Sequence, residues 1–258
     1  MNKIVAVALN TFREAVRNKI LYTAFFFALI VVIISALFGS VSIGDDVKVI
    51  KDFGLFALSF FGTVITIIAG VNLLNKELKQ KTVYNILSKS VYRYQFILGK
   101  YLGLLLTVAM LVGLMGIGLM IFCLMMEGRI DYLLLQGIYF TILEMAIVAA
   151  IAIFFSSIVI TTTLTGLFTL AFYLAGRSIN YLKEFMPEGE YYNPLLQKIV
   201  NIFDFILPDL SRLNHVNDIV YNVAVPTNIL LSATVYTCSY AAISVTLAIL
   251  IFEKRELV

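Results

Sequence analysis

The sequence predicts an all-α polytopic membrane protein with six transmembrane helices, an amphipathic helix ahead of the first span, and a helical external segment before the last. Three observations carry that expectation. Hydrophobic residues make up 61% of the 258-residue chain and charged residues only 14%, against about 25% charged in soluble domains. Mean hydropathy is +0.96. The charges are gathered in short islands between uncharged runs, several of which reach the ~20 residues that cross a bilayer as a helix. No low-complexity segment, internal repeat or separate soluble unit interrupts residues 1–258, so the whole chain is expected to be one transmembrane domain.

Residues 1–19 open the chain as an interfacial helix. Val5, Ala8, Leu9, Phe12, Ala15 and Val16 recur at helical spacing, with Asn10, Arg13, Glu14, Arg17 and Asn18 opposite. Such a helix can lie in the headgroup layer with its basic face toward membrane lipid. The run 20–38 is the first span. It is too long for the apolar part of a signal peptide and no small-x-small cleavage pattern follows it, so it is expected to be retained. After the polar residues Asp45, Asp46, Lys48, Lys51 and Asp52 comes the second span, 53–74. Along it Ser59, Thr63, Thr66 and Gly70 fall at i, i+4, i+7 and i+11, a narrow stripe of small residues. Such stripes let helix backbones approach in lipid. The stripe fits the wall of a path or a dimer interface, and equally packing inside one subunit.

The loop 75–100 precedes a third span at 101–126, and Glu127, Gly128, Arg129 and Asp131 make a tight polar turn. From Tyr132 to Gly176 only Glu144 is charged. As one helix this stretch would measure about 67 Å, twice the hydrocarbon thickness, so it must reverse. The reversal is placed near Phe155 to Thr161, giving spans at 133–155 and 161–176. Residues 177–226 form the long segment outside the spans. Within it Asn193-Pro194 reads as a cap and first helical position, a helix continues to Pro208, and a weaker one follows near Ser211 to Tyr221. Residues 227–252 are the sixth span, followed by a short charged tail.

Few residues suggest chemistry. Glu144 at membrane depth is the candidate intramembrane acid, because an ionisable group there is expensive and faces protein or water. It could relay protons or touch a substrate, or it could be a hydrogen-bonded glutamate tied to a neighbouring Tyr or Thr. Cys123 and Cys238 sit far apart in apolar runs and read as buried small residues. His215, the single histidine, has no second ligand type around it and reads as a surface or satisfied side chain. No metal site is expected, and no Met or His cluster suggests metal handling. No G-x-x-x-x-G-K-[ST] pattern occurs, so nucleotide binding by that route is excluded. Without a second buried carboxylate or an H-E-x-x-H motif, the chain is not expected to be an enzyme. Nothing points to nucleic acid.

Six spans put both termini and the loop 75–100 on one side. That side gathers 12 of the 19 Lys and Arg residues, and the positive-inside rule makes it cytoplasmic. The loop is the longest basic amphipathic island of the chain. Leu74, Leu78, Thr82 and Ile86 share a helical face, with Glu77 and Lys81 at i, i+4 as a supporting pair. Its spacing runs Glu77, Thr82, Ile86-Leu87, Arg93, Gly99-Lys100.

That spacing resembles the cytoplasmic loop between the second and third spans of ABC type-2 transporter permeases, closest to the branch labelled for multicopper enzyme maturation. The resemblance extends over most of the chain, from the amphipathic start to the charged tail. Lys81 and Ser90 stand where the family commonly has glycine and proline. The resemblance implies a prokaryotic cytoplasmic (inner) membrane protein and makes the N-terminal helix an elbow helix. It implies a coupling helix in the loop, with Glu77, Leu78, Lys81, Thr82, Ile86, Leu87 and Arg93 docking on a separate ATP-binding cassette subunit. It further implies a second permease copy or related chain as partner, export as the activity, and no cofactor in this chain, ATP and magnesium belonging to the partner. Two other readings stay open. One is an ATP-independent carrier or channel coupled through Glu144; the other is a non-transporting scaffold or sensor.

Overall fold

A computed structural model describes residues 3–17, 22, 25–26, 29–34, 46–79, 92–128, 130–159, 161–184, 203 and 206–254. Among them the regular structure is helical: α1 (Lys3–Val16), α2 (Asp46–Lys79), α3 (Arg93–Glu127), α4 (Leu133–Ile158), α5 (Thr162–Glu184), a 3-10 turn at Leu210–Leu213, the short α6 (Val216–Val220) and α7 (Thr227–Lys254). Four are long and apolar enough to cross a membrane, namely α3, α4, α7 and the Val47–Leu73 part of α2.

The helices outrun the apolar runs that seed them. α2 begins at Asp46 and continues through Lys76, Glu77 and Lys79, and α3 begins at Arg93, eight residues before Tyr101. Extending an existing helix adds one hydrogen bond per residue fixed, and Lys, Glu and Gln are good helix formers. Charge therefore marks the edge of the apolar zone, not the end of the helix. At the start of α3 the backbone of Tyr92 is extended and its N–H donates to Gln95 Oε1 at 3.3 Å. At the other end Gly128 takes φ +71° and returns its N–H to Leu124 O at 2.8 Å, the left-handed cap that glycine adopts without penalty.

α4 is the post around which the bundle is built. Every residue from Leu143 to Ile153 is buried, and α2, α3, α5 and α7 all touch it. Ala146, Ala149, Ala150 and Ala152 keep its girth small, so four neighbours can approach. One apolar cluster joins it to α2, α3 and α7 through residues such as Leu58, Val112, Met145 and Val245. A second joins it to α2, α5 and the residues before α7 through Ile67, Phe140, Tyr173 and Leu210. The outer faces remain apolar: Leu102, Leu106, Met110, Leu114, Ile117 and Ile121 run down α3, and Leu231, Val235, Ile243, Leu247 and Leu250 down α7, all exposed. Apolar surface of that extent suits hydrocarbon and not water.

α1 lies against the start of α3 because two glycines let it. A Cβ on Gly103 would sit 2.6 Å from Ala8 O and from Thr11 Cβ, and one on Gly99 would sit 2.6 Å from Val7 Cβ. Gly99 and Gly103 form a G-x-x-x-G pair, the spacing that brings helix backbones together. Ala8 and Thr11 are buried there, while Arg13, Glu14 and Arg17 are exposed.

The chain reverses between α4 and α5 at Val159, whose extended backbone (φ −97°, ψ 135°) returns its N–H to Phe155 O at 2.9 Å. α5 then runs on past Gly176 to Glu184. The residues after Ile206 fold back onto it. Asp209 N donates to Tyr236 Oη of α7 at 2.7 Å, and its carboxylate accepts from Arg212 Nε at 2.8 Å and Asn180 Nδ2 of α5 at 3.3 Å. Gly176 is required by this approach, since a Cβ there would meet Pro208 O at 2.5 Å. The expected weak helix at Ser211 to Tyr221 is divided into the 3-10 turn and α6. The helix expected after Pro194 falls mostly outside the described residues.

Candidate functional site

The polar centre of the bundle forms where α2, α4 and α5 meet. Glu144 lies fourteen residues before the end of α4 and Arg177 fifteen residues after the start of α5. At 1.5 Å per residue both stand about 21–23 Å from the turn that joins the two helices. Antiparallel packing therefore brings them to one height. Arg177 Nη1 donates to Glu144 Oε1 at 2.8 Å, to Tyr173 Oη at 2.8 Å and to Ser59 Oγ at 3.1 Å. Ser59 Oγ in turn donates to Glu144 Oε2 at 3.1 Å. Tyr173 and Arg177 are one turn apart on α5, so the same face supplies both. Glu144, Ser59 and Tyr173 are buried, while a third of the Arg177 side chain is exposed.

The structure gives Glu144 a basic partner that the sequence reading did not assign. Arg177 was counted with the segment 177–226, and α5, continuing to Glu184, carries it beside Glu144. The signal available in the sequence was the continued period of Tyr173, Arg177 and Asn180 on one helical face. A carboxylate held by a guanidinium and a hydroxyl is a compensated ion pair, since each charge supplies what burial in apolar surroundings takes away.

The small-residue stripe is at the same interface. Ser59, Thr63, Thr66 and Gly70 are buried against α4 of the same chain. Thr63 and Thr66 return their hydroxyls to Ser59 O and Gly62 O at 2.8 and 2.7 Å. Both hydroxyls also face Met145 Sδ, at 3.7 and 3.5 Å. A Cβ on Gly70 would sit 2.7 Å from Ala152 Cβ. Of the readings open to the stripe, a path wall, a dimer interface or packing inside one subunit, the contacts with α4 are of the last kind.

Two further polar clusters close the ends of the bundle. At one end Lys51, only 1% exposed, reaches Asp131 Oδ2 at 2.6 Å, Glu127 Oε1 at 3.6 Å and Asn222 Oδ1 at 3.1 Å. It ties α2 to the α3–α4 turn and to the linker before α7, where Asn222 holds φ +59°. At the other end Arg93 Nη1 donates to Phe252 O at 3.0 Å and to Glu253 O at 2.7 Å, and the Phe96 and Phe252 rings stack at 6.1 Å. A guanidinium on the last carbonyls of a helix satisfies acceptors that have no partner within it and complements its dipole. Of the residues assigned to docking, Arg93 is therefore engaged with α7. Glu77 and Leu78 lie in the last turns of α2, and Lys81, Thr82, Ile86 and Leu87 lie outside the described residues.

The family model for "ABC-2 family transporter protein" matches residues 5–257, nearly the whole chain. The chain belongs to the ABC-2 transporter family. No curated protein matches it. The ABC-2 match spans α1, the polar centre and both end clusters without a break. It makes the chain an integral membrane protein and the membrane subunit of an ABC transporter.

Proposed function

We propose that this ABC-2 protein is the permease subunit of an exporter driven by a separate ATP-binding cassette subunit, which binds ATP and magnesium and docks on the loop 75–100. The observation that carries the reading is the family match over residues 5–257; residues 1–258 contain no phosphate-binding loop, and in this reading ATP is bound by a separate subunit. In this reading Glu77, Leu78, Lys81, Thr82, Ile86 and Leu87 form the docking surface, and Arg93 joins its far end to α7. The stretch 20–38 and α5 complete six spans, and both termini lie in the cytoplasm with an elbow helix at α1. Two copies, or this chain and a related one, pair around the path. The resemblance of the loop spacing supports membership of the branch labelled for multicopper enzyme maturation.

The test is co-expression with an ATP-binding cassette subunit, capture of the complex through a tag on this chain, and measurement of ATP hydrolysis in proteoliposomes. The chain alone is expected to show none, and the complex to hydrolyse ATP. Joint replacement of Glu77 and Thr82 by alanine should leave membrane insertion intact and lower transport per ATP hydrolysed. An unchanged coupling ratio in that variant sinks the docking assignment. The Glu144-coupled carrier is the weaker reading, because the Glu144 carboxylate is already held by Arg177 at 2.8 Å.

A further inference from the structure

α7 is fastened differently at its two ends. Just before it starts, Gln136 of α4 exchanges two hydrogen bonds with the backbone of Val225, at 3.0 and 3.3 Å. Thr234 Oγ1 then shares a hydrogen bond of 2.6 Å with Tyr139 Oη of α4. Tyr236 Oη accepts from Asp209 N at 2.7 Å, and Tyr240 Oη donates to Ile206 O at 3.0 Å. At the far end α3 holds the helix through Arg93 Nη1 on Phe252 O and Glu253 O and through the stacked rings of Phe96 and Phe252. From Thr237 to Ile251 no hydrogen bond joins α7 to α3 or α4 among the described residues, and the buried Thr237 Oγ1 has no hydrogen-bond partner.

Between these fastenings α7 is stiff and smooth. Of the four helices long enough to cross a membrane, it is the one without glycine or proline, so the usual kink points are missing. Ala233, Ala241, Ser244 and Ala248 are buried on its inner face, and α4 behind it carries Ala146, Ala149 and Ala150. Small side chains raise low ridges, and packed helices move past one another by small shifts of this kind of interface. Away from the Phe96–Phe252 contact an apolar groove of about 530 Å³ separates α3 from α7. Leu105 and Ala109 line one side of it, and Thr237, Cys238 and Ala241 the other.

We propose that α7 is a gate, hinged at its Val225–Thr234 end and latched at the other by Arg93, and that displacement of the docking loop releases the latch and swings α7 away from α3. The gate rests on the docking of an ATP-binding subunit proposed above, because Arg93 is the first residue of α3 after the loop 75–100. The swing widens the groove. Phe252 lies about 27 Å along the helix axis from Thr234, so a tilt of about 10°, inside the usual scatter of helix packing angles, carries it about 5 Å. Leu231, about 4.5 Å to the other side of Thr234, moves by less than about 1 Å. Arg93 is thus a positioning residue that sets where the inner end of α7 stands.

The test uses pairs of spin labels on the full-length chain in nanodiscs, with the exposed Cys238 replaced by serine and the buried Cys123 left in place. The exposed positions Tyr94 and Leu250 carry the inner pair (Y94C/L250C), and the exposed Met125 and Leu231 the outer pair (M125C/L231C). Dipolar electron paramagnetic resonance reads both separations. In the chain alone R93Q should lengthen the inner separation by about 5 Å and leave the outer one unchanged. R93K, whose ammonium can still donate to the last carbonyls, should keep the parent distances. In the complex with an ATP-binding cassette subunit, ATP with vanadate should lengthen the inner separation of the parent to that of R93Q and add nothing in R93Q itself. An R93Q chain with the parent's inner separation overturns the gate, as does equal lengthening of both pairs, which is loosening and not a hinge. Hydrolysis of ATP with no change in the parent's inner pair overturns the link to the loop. A complex that hydrolyses no ATP, beside an R93Q chain that widens only at its inner end, instead defeats the proposed function and leaves the hinge standing.

Discussion

Replacing Arg177 by methionine keeps an unbranched apolar stem and deletes the guanidinium, which strands the Glu144 carboxylate between α2, α4 and α5. Its remaining donor among the hydrogen bonds described above is Ser59 Oγ at 3.1 Å. Breaking one side of a fully buried ion pair costs about 3–5 kcal/mol. Because 33% of the Arg177 side chain is exposed, solvent screens part of the pair, and about 2–3 kcal/mol is the expected cost of R177M. That corresponds to a folding equilibrium about 30- to 150-fold less favourable. The double variant E144M/R177M removes both charges together and should recover most of the loss, because replacing a buried pair with apolar side chains is often neutral. The assay is reversible unfolding in mixed micelles by titration with dodecyl sulfate, followed by far-ultraviolet circular dichroism. Equal destabilisation by the single and double variants, or a single variant within about 0.5 kcal/mol of the parent, would refute the compensated-pair account.

Lys51→Met leaves Asp131 and Glu127 without their buried cation, and the same unfolding assay should register about 3–5 kcal/mol. Gly103→Ala forces a methyl group to within 2.6 Å of the Ala8 carbonyl oxygen; a loss of about 1–3 kcal/mol is expected from overpacking. Gly113→Ala, where nothing lies within 4 Å, should be no less stable than the parent and serves as the matched control. Arg93→Ala removes two charge-assisted hydrogen bonds from the last turn of α7, so hydrogen exchange at 248–254 should accelerate while the middle of α7 is unchanged. Protection unaltered at 248–254 would show that the clamp contributes nothing to that turn.

Composition made the membrane class and the helical fold legible, since uncharged runs such as 227–252 have one stable solution in a bilayer. The apolar edge and the helix end are different quantities, and only the first is written plainly in the sequence. α2 and α3 extend beyond their apolar runs at the loop 75–100, and α5 extends beyond Gly176. That last difference hid the partner of Glu144, because a charge at the rim of an apolar run reads as solvent-exposed unless the opposing helix is known. The stripe of Ser59, Thr63, Thr66 and Gly70 was legible as a packing face, but its occupant was not. Periodicity tells which side of a helix is small, and only the tertiary arrangement supplies α4. Arg93 was legible as a polar feature of the loop; its contact with Phe252 and Glu253 spans 159 and 160 residues, a separation that no local pattern encodes.

The matched heights of Glu144 and Arg177 bear on how the chain enters the bilayer during synthesis. In the six-span arrangement proposed above α5 enters the bilayer as well, and alone it would carry an unneutralised guanidinium into lipid, at ~2.5–3.5 kcal/mol on insertion scales. Because the turn at Val159 lies nearly midway between the two charges, α4 delivers the carboxylate to the depth at which Arg177 arrives. The two helices can therefore leave the insertion machinery as one electrically neutral hairpin. Lengthening the turn by a few residues leaves every side chain intact yet puts the charges out of register, and the cost would fall on biogenesis before it fell on transport.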